Sequence, residues 1–349
     1  MTIDDIDVVI EINISVTLQS RCCDNDVLTW QSADGETWVE RTTPDEPEPP
    51  RGSGVHDVAV GHGLHVAVGT WASTPPNCSC YPIFASAWFS VDGRHWTQAP
   101  TDPAVFGLND DIEHVWVTPS GFAAVGLDRD EHDWNVVQAG FWTSNDGRTW
   151  TQLHGVEGPR HDRGGEWAVA KGPTGAVVLT PTTGWRTVDG VQWTKTADFP
   201  PSADGQHEPW QVFALGNMFA GLRPVRSGSN DNGPTATEEL WLSTDGGPWE
   251  RVGPAFGVLP SENLAVSQIR PTPLGYIALG GAPASTIWIS TDARSWQRVP
   301  DLEQIFGGYL NDVVAFKDRL IIFGGVDAPT SMQQRTRAMT WVHALEPPT

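Results

Sequence analysis

The chain of 349 residues is strongly acidic, with a formal net charge of −22. Such a surface repels nucleic acid and anionic membranes, which excludes both as partners, and it suits cationic partners and metal ions. The alternative interpretation is that the charge only keeps a Trp-rich β protein in solution. No stretch is long and apolar enough to cross a bilayer.

The first residues give a prediction of location. Asp4, Asp5 and Asp7 stand where a secretory leader would be basic, so we expect no signal peptide in this chain. We expect an extracytoplasmic protein if a leader has been removed and a cytoplasmic protein otherwise. The length fits a single domain over residues 1–349, and we expect a monomer.

One short pattern recurs six times along the chain. It consists of a Trp, a Ser or Thr two residues later, an Asp two residues after that, and a second Trp eight residues after the first. Its Asp residues are Asp34, Asp92, Asp146, Asp189, Asp245 and Asp292. A recurrence at 43 to 58 residues is typical of a propeller, a solenoid or an array.

Each copy of the pattern predicts a β-hairpin. The first Trp and the Ser or Thr alternate on one face of a strand, and the following Asp-Gly is a strong signal for a tight turn. The Asp carboxylate can accept hydrogen bonds from the N–H groups of its own turn. Because Ala293 replaces the Gly after Asp292, we expect that turn to differ from the others.

A pair of apolar strands ending near Gly precedes the hairpins, as in residues 56–69 and 113–126. Each unit therefore contains four antiparallel strands, A to D from the axis outwards. A seventh unit takes strands A and B from residues 311–325 and strand C from residues 338–341, and residues 3–19 can supply its missing outer strand. The predicted fold class is all-β, a β-propeller of four-stranded antiparallel blades, with seven blades and six or eight as alternatives.

The hairpin pattern resembles the Asp-box, or BNR repeat, of sialidases and other propellers, in a form shortened by one residue before the second Trp. The resemblance covers nearly the whole chain through its repeats. It implies a sialidase-like propeller in which the Asp-box is structural and lies at the C–D turns, away from the catalytic face. A fold of this kind does not define an activity.

The four Cys residues form two pairs, Cys22 with Cys23 and Cys78 with Cys80. Both pairs lie between strands B and C of consecutive units, so we expect them on neighbouring loops. A disulfide cross-link between those loops would place the protein in an oxidising compartment. Free thiols and a four-thiolate zinc site are the alternatives, although neither pair has the usual two-residue gap of zinc ligands.

The position of the long insertions predicts the functional face. They lie between strands B and C, at residues 70–84, 127–137, 224–238 and 326–337, whereas the C–D turns keep a constant length. In a propeller the B–C and D–A connections share one face. We therefore expect the ligand on that face.

Carboxylates and aromatic residues accumulate on the same predicted face. Five carboxylates stand just before strand A, where a ring of them would raise some pKa values or recruit a cation. Alternatively, each carboxylate accepts hydrogen bonds from a neighbouring blade. Four Trp residues beside them suit a sugar ring, although burial between blades explains Trp167 and Trp210 equally well. The candidate binding residues are Asp57, Glu113, Glu166, Glu208, Asp312, Trp71, Trp134, Trp167 and Trp210.

A cation such as Ca²⁺ is the only cofactor that the sequence suggests. The run from Asp128 to Asp133 offers carboxylate oxygens, but it lacks the Gly-containing loop of the 12-residue calcium site, and a solvated acidic loop is the alternative.

The sialidase resemblance would imply three Arg residues, an Asp acid, and a Tyr nucleophile paired with Glu. Tyr309 with Arg270 and Glu262 is the nearest match, and Arg21 does not fit the expected Arg motif. We therefore predict a non-catalytic propeller that binds a protein or a glycan on its B–C/D–A face. The alternative is a glycoside hydrolase, sialidase-like or with paired carboxylates, that acts at the acidic mouth.

Overall fold

A computed structural model describes most of the chain, in segments separated by gaps. The described residues are 12–14, 28–31, 37, 39–40, 54–72, 83–93, 95–129, 137–160, 167–200, 210–230, 233–256, 266–280, 286–299, 309–316, 319–328 and 335–344. These segments contain strands and turns but no helix, and none of them includes a helix long and apolar enough to cross a membrane.

The described strands form seven antiparallel sheets, and within each sheet every strand pairs with the next one along the chain. Sheet 1 contains β1 Ile12–Ile14, β2 Leu28–Gln31 and β3 Val39–Glu40. Sheet 2 contains β4 Gly54–Gly61, β5 Leu64–Ala72, β6 Ile83–Ser90 and β7 Thr97–Gln98. Sheet 3 contains β8 Asp111–Thr118, β9 Gly121–Arg129, β10 Val137–Ser144 and β11 Thr151–Leu153.

The remaining sheets follow the same order. Sheet 4 contains β12 Ala168–Gly172, β13 Gly175–Leu179, β14 Thr183–Thr187 and β15 Trp193–Asp198. Sheet 5 contains β16 Gln211–Leu215, β17 Met218–Asn230, β18 Gly233–Thr244 and β19 Trp249–Pro254. Sheet 6 contains β20 Val266–Thr272, β21 Gly275–Gly280, β22 Thr286–Ser290 and β23 Gln297–Arg298, and sheet 7 contains β24 Tyr309–Phe316, β25 Arg319–Ala328 and β26 Arg335–Ala344. The fold is therefore all-β, as the sequence predicts, and five of the seven described sheets are the four-stranded antiparallel blades of a β-propeller. Sheets 1 and 7 contain three described strands each.

The chain divides into two compact units. Unit 1 comprises Met1–Gly164 with Thr187–Thr194, and unit 2 comprises Gly165–Arg186 with Lys195–Thr349. In unit 1 the first strands of sheets 2 and 3, β4 and β8, pack side by side over a core that includes the fully buried Trp142. In unit 2 the first strands β12, β16, β20 and β24 pack against each other in succession. Apolar residues between consecutive sheets supply the core of each unit.

The recurring Gly at the end of the second strand has a steric cause. Strand β8 contains a bulge between Ile112 and His114, and Gly126 of β9 pairs with Ile112 beside it. A Cβ on Gly126 would lie 1.9 Å from the carbonyl oxygen of Asp111. Gly69 faces the bulge of β4 in the same way, with its Cβ position 1.9 Å from the oxygen of Gly54. Only glycine leaves room for the bulged strand at these two positions.

The Asp residues of the hairpin pattern hold their own turns. Asp146 Oδ1 accepts hydrogen bonds from the backbone N–H of Arg148 at 2.8 Å and of Thr149 at 2.7 Å. Asp92, Asp189 and Asp292 make corresponding contacts, and Asp34 lies outside the described residues. These hydrogen bonds lower the pKa of Asp146, chiefly through the Thr149 N–H.

The turn that differs is not the one that we expected. Ala293 adopts the positive φ of 58° that the glycines of the other turns adopt, and Asp292 keeps both N–H contacts at 2.8 Å. The expectation for Ala293 was therefore wrong. The turn at Asp245 differs instead, since Gly247, at 3.2 Å, is the one backbone N–H of the turn that its carboxylate accepts, and its other oxygen lies 3.4 Å from Arg186 Nη1. The cause is Pro248, which has no N–H to donate at the next position.

The long B–C insertions are not simply loops, which corrects our description of them. β17 and β18 continue through the insertion of residues 224–238 as a paired hairpin up to Asn230 and Gly233. Each of the other three insertions also begins as an extension of its two central strands. Of residues 3–19, which we expected to supply an outer strand to sheet 7, Ile12–Ile14 are described, and they pair as β1 with β2 inside sheet 1. The prediction was wrong for these three residues, and residues 3–11 and 15–19 lie outside the described segments.

Candidate functional site

The first strands of unit 1 bring five titratable side chains together at the B–C end of sheets 2 and 3. We call them the β4–β8 polar group: His56 and Asp57 on β4, and Asp111, Glu113 and His114 on β8. The two strands carry bulges at corresponding positions, between Val55 and Asp57 and between Ile112 and His114. Bulges redirect side chains and are common next to functional sites.

His56 and Asp111 form the central contact of this group. Their Nδ1 and Oδ1 atoms lie 2.9 Å apart, and the two side chains are 36% and 19% exposed. The pKa of His56 is raised, first by this interaction with Asp111 and further by the charge of Glu113, although burial acts in the opposite direction. The ring therefore keeps a proton to higher pH than an ordinary histidine.

The second ring nitrogen of His56 lies beside a glycine. A Cβ at Gly54 would be 3.4 Å from His56 Nε2 and 3.5 Å from the Thr70 hydroxyl oxygen. Gly54 therefore lies in van der Waals range of the His56 ring.

Asp57 accepts a hydrogen bond from the neighbouring sheet, which is the structural role that we gave as the alternative to a functional ring of carboxylates. Its Oδ1 accepts the Val58 N–H and its Oδ2 accepts the Val115 N–H, both at 2.9 Å. The second bond joins the first strands of sheets 2 and 3. His114 Nδ1 lies 3.7 Å from the same Oδ2 atom.

The described carboxylates do not occupy one equivalent position. Asp57 and Asp312 each follow a bulge and pair with Val68 and Phe323, whereas Glu113 is itself the extra residue of its bulge. All three lie inside a first strand, not just before it. The repeat spacing in the sequence does not reveal the bulges that shift them relative to each other. Glu166 and Glu208 lie outside the described residues.

Asp312 in unit 2 is bound by a guanidinium group. Arg270 on β20 donates from Nε to Oδ1 at 2.9 Å and from its terminal nitrogen Nη2 to Oδ2 at 3.0 Å. A bidentate pair of this kind joins the first strands of sheets 6 and 7. The pair thus engages Arg270, which the sialidase resemblance grouped with Tyr309 and Glu262. Glu262 lies outside the described residues.

The predicted aromatic residues fall in different environments. Trp71 is half-buried on β5 beside Phe84, with ring centroids 6.0 Å apart. Trp210 is 4% exposed, and its ring centroid lies 4.5 Å from that of Phe199. Trp210 is therefore a core residue, as the alternative interpretation predicted. Trp167 is half-buried just before β12, and Trp134 lies outside the described segments.

Unit 2 contains a buried ion cluster that the sequence did not reveal. Arg223 and Glu239 pair across β17 and β18, are each 5% exposed, and lie 2.7 Å apart through Nη2 and Oε2. Glu239 also accepts from Arg251 and from Trp241 Nε1. The nearest signal in the sequence was the consecutive acidic pair at residues 238–239, directly before the apolar residues 240–242.

Two carboxyl groups elsewhere have raised pKa values, and burial is the main cause in both. Burial raises the pKa of Asp110 to about 6 although the N–H groups of Arg129 and Gly107 bind it. Burial raises the pKa of Glu238 to about 7. Neither group belongs to the predicted ring of carboxylates, and Asp128 contributes a smaller repulsion to the shift at Asp110.

The predicted metal-binding run and the four Cys residues lie largely outside the described segments. Within the described part of the chain, no group of three or more His, Cys, Asp or Glu side chains is arranged to hold a metal ion. Asp128 is described, but the rest of the acidic run up to Asp133 is not, apart from Arg129. The four Cys residues, 22, 23, 78 and 80, all lie outside the described residues.

Comparison with known proteins gives matches only among solved structures. No protein-family model and no curated protein matches the chain. A Trypanosoma rangeli sialidase bound to the inhibitor DANA is 14% identical over 81% of this chain and 51% of its own, with a TM-score of 0.46. This chain thus spans about half the length of that sialidase chain.

Two further solved structures match at similarly low sequence identity. An α-L-arabinofuranosidase from Fusarium graminearum is 16% identical over 83% of this chain and 93% of its own, with a TM-score of 0.47. A glycosyl hydrolase from Bacteroides ovatus is 10% identical over 71% and 87%, with a TM-score of 0.34. Likenesses at this level concern fold alone.

Proposed function

We propose that this protein acts on carbohydrate and hydrolyses a glycosidic bond at the β4–β8 polar group. The observation that carries the proposal is the 2.9 Å contact between His56 Nδ1 and Asp111 Oδ1, with Glu113 acting on the same ring. A glycosidase needs a proton donor and a carboxylate next to the scissile bond. The polar group offers both, and the proposal rests on its geometry.

The roles follow from the charge of each side chain. Protonated His56 would donate its proton to the leaving oxygen as the bond from that oxygen to the anomeric carbon breaks. Glu113 or Asp111 would stabilise the positive charge that develops on the sugar ring. Water then adds to the anomeric carbon, and its proton returns through a carboxylate to the ring of His56. No cofactor is needed for these steps, and we propose none.

The other parts of the protein have supporting roles in this proposal. We assign the turns at Asp92, Asp146, Asp189, Asp245 and Asp292 to shortened Asp-boxes whose function is structural. Trp71, on the strand next to β4, offers a partly exposed ring for the apolar face of a sugar. The partner is therefore a glycan.

Hydrolysis of a panel of 4-methylumbelliferyl glycosides by the full chain tests the proposal. We expect His56→Gln and Glu113→Gln each to reduce kcat/KM by about 100-fold or more, because each removes one participant in proton transfer or charge stabilisation. Glu157→Gln removes an exposed carboxylate elsewhere in unit 1 and should leave the rate unchanged. A cleaved substrate whose rate is insensitive to both site variants would overturn the assignment.

A second candidate function is binding of a glycan or a protein without catalysis. The observation that favours it is that both oxygens of Asp57 are taken by backbone N–H groups, which leaves fewer carboxylates for chemistry. On this hypothesis no glycoside is cleaved, yet a glycan array detects binding that His56→Gln and Trp71→Ala weaken. Cleavage of any glycoside that His56→Gln abolishes would exclude it.

A further inference from the structure

The central hairpin of sheet 5 extends beyond its neighbouring strands. Pairing of β16 with β17 ends at Leu222, and pairing of β19 with β18 ends at Glu239. We call residues 224–230 and 233–238 the hairpin arm, since there β17 and β18 pair only with each other among the described strands. Pro224 and Glu238 form the pair at the base of this arm.

Glu238 connects the base of the arm to the next sheet. Its Oε1 accepts the backbone N–H of Val266 at 3.0 Å, and Val266 is the fully buried first residue of β20. Its Oε2 is buried and has no hydrogen-bond partner among the residues that the structure describes. Half of the carboxyl group is thus satisfied and half is not.

No described charged group compensates Glu238. Glu239 lies on the opposite side of β18, where Arg223 and Arg251 bind it. Arg270 of β20 is bound to Asp312. Pro224 on β17 is uncharged, and so are Ser267 and Gln268 on β20. Burial therefore raises the pKa of Glu238 to about 7, and the hydrogen bond from the Val266 N–H is the one interaction that lowers it.

We propose that Glu238 is a pH-sensitive latch that holds the base of the hairpin arm against β20 when its carboxyl group is protonated. The protonated group accepts the Val266 N–H without placing a charge in the contact. The ionised group leaves a buried negative charge with one hydrogen bond, which favours separation of the arm from β20 and access of water. This device lies in unit 2 and does not depend on the proposed hydrolysis.

The sign of the effect follows from proton linkage. Between the ordinary carboxyl pKa of 4.5 and about 7, the closed arm binds more protons than an open one would. The closed state is therefore favoured most at low pH, loses preference as pH rises through this window, and changes little above it.

Amide hydrogen exchange at Val266, measured by NMR on the full chain, tests the latch. After correction for intrinsic rates, we expect protection to fall about tenfold or more between pH 5 and pH 8. Glu238→Gln keeps an acceptor but cannot ionise, so its protection should not depend on pH. Glu250→Gln changes an exposed carboxylate of the same sheet and should behave as the unaltered protein.

Two results would overturn the proposal. One is equal protection of Val266 at pH 5 and pH 8 in the unaltered protein, and the other is an undiminished pH dependence in Glu238→Gln. If the variant fails to fold, the carboxyl ¹³C shift of Glu238 in the unaltered chain decides the question. A midpoint below pH 6 would refute the latch, and one at pH 6 or above would support it.

Discussion

Asp146 illustrates how a single side chain sets a local conformation. Its carboxylate binds two N–H groups of its own turn and also accepts from the Ser144 hydroxyl at 3.2 Å. Five such turns are described, and the one that departs from the pattern does so because Pro248 offers no N–H. Both facts follow from residue identity and could be anticipated from sequence, although we expected the exception at Ala293.

Removal of the Asp146 carboxylate should destabilise unit 1. We expect Asp146→Ala to lower the free energy of unfolding by about 1–2 kcal/mol at pH 7, since two turn N–H groups lose their acceptor. The pKa of Asp146 is lowered, so its contribution is present above the ordinary carboxyl value and is lost as pH falls through the lowered value. Urea unfolding at pH 7 and pH 2.5 measures this. An equal difference between Asp146→Ala and the unaltered protein at both pH values would contradict it.

His56 should contribute a pH-dependent increment to stability. Its pKa is raised by Asp111, so the contribution is fully present below the ordinary histidine value of 6.5 and is lost as pH rises through the raised value. We expect the stability difference between the unaltered protein and His56→Gln to shrink between pH 6 and pH 8.5, as measured by urea unfolding. Comparison with the variant separates this effect from those of Asp110 and Glu238, whose raised pKa values also favour acidic conditions. A difference that grows with pH would refute the assignment.

At the scale of strands, four of the described sheets share one device, a bulge in the first strand that faces a glycine of the second strand. The spacing in the sequence places Asp57 and Glu113 at one equivalent position of a predicted ring. The bulges of β4 and β8 displace the two residues relative to each other, so their positions are not equivalent. The strand pairs themselves were predictable, because alternating apolar residues and turn signals mark them. The bulges were not, because they depend on how neighbouring first strands pack.

Gly126 tests this account of the strand edge. Gly126→Ala should lower the free energy of unfolding by about 2–3 kcal/mol, because its Cβ would lie 1.9 Å from the Asp111 carbonyl oxygen and β8 would have to move. Gly54→Ala is the matched control, since its Cβ would make only ordinary contacts of 3.4 Å or more. Thermal and urea unfolding should separate the two variants clearly. Comparable effects of both would refute the steric explanation.

At the scale of the whole molecule, charge dominates the solution behaviour. The net charge of −22 imposes self-repulsion that favours unfolding and that salt screens. We expect Tm to rise when NaCl increases from 20 to 300 mM, as measured by calorimetry. Exposed pairs such as Arg294 with Glu250 weaken under the same conditions, but each contributes little. A Tm that stays constant or falls would show that local pairs outweigh the net charge.

The amino-acid sequence by itself determined the repeat, the hairpin turns and the all-β class of this protein, since these depend on periodicity and on residues a few positions apart. Packing between strands decided the rest. It placed His56 against Asp111, engaged Asp57 and Asp312 with neighbouring strands, and left one oxygen of Glu238 without a described partner. Such contacts join residues 28 to 58 positions apart, and only the folded arrangement of the strands brings them within hydrogen-bond distance.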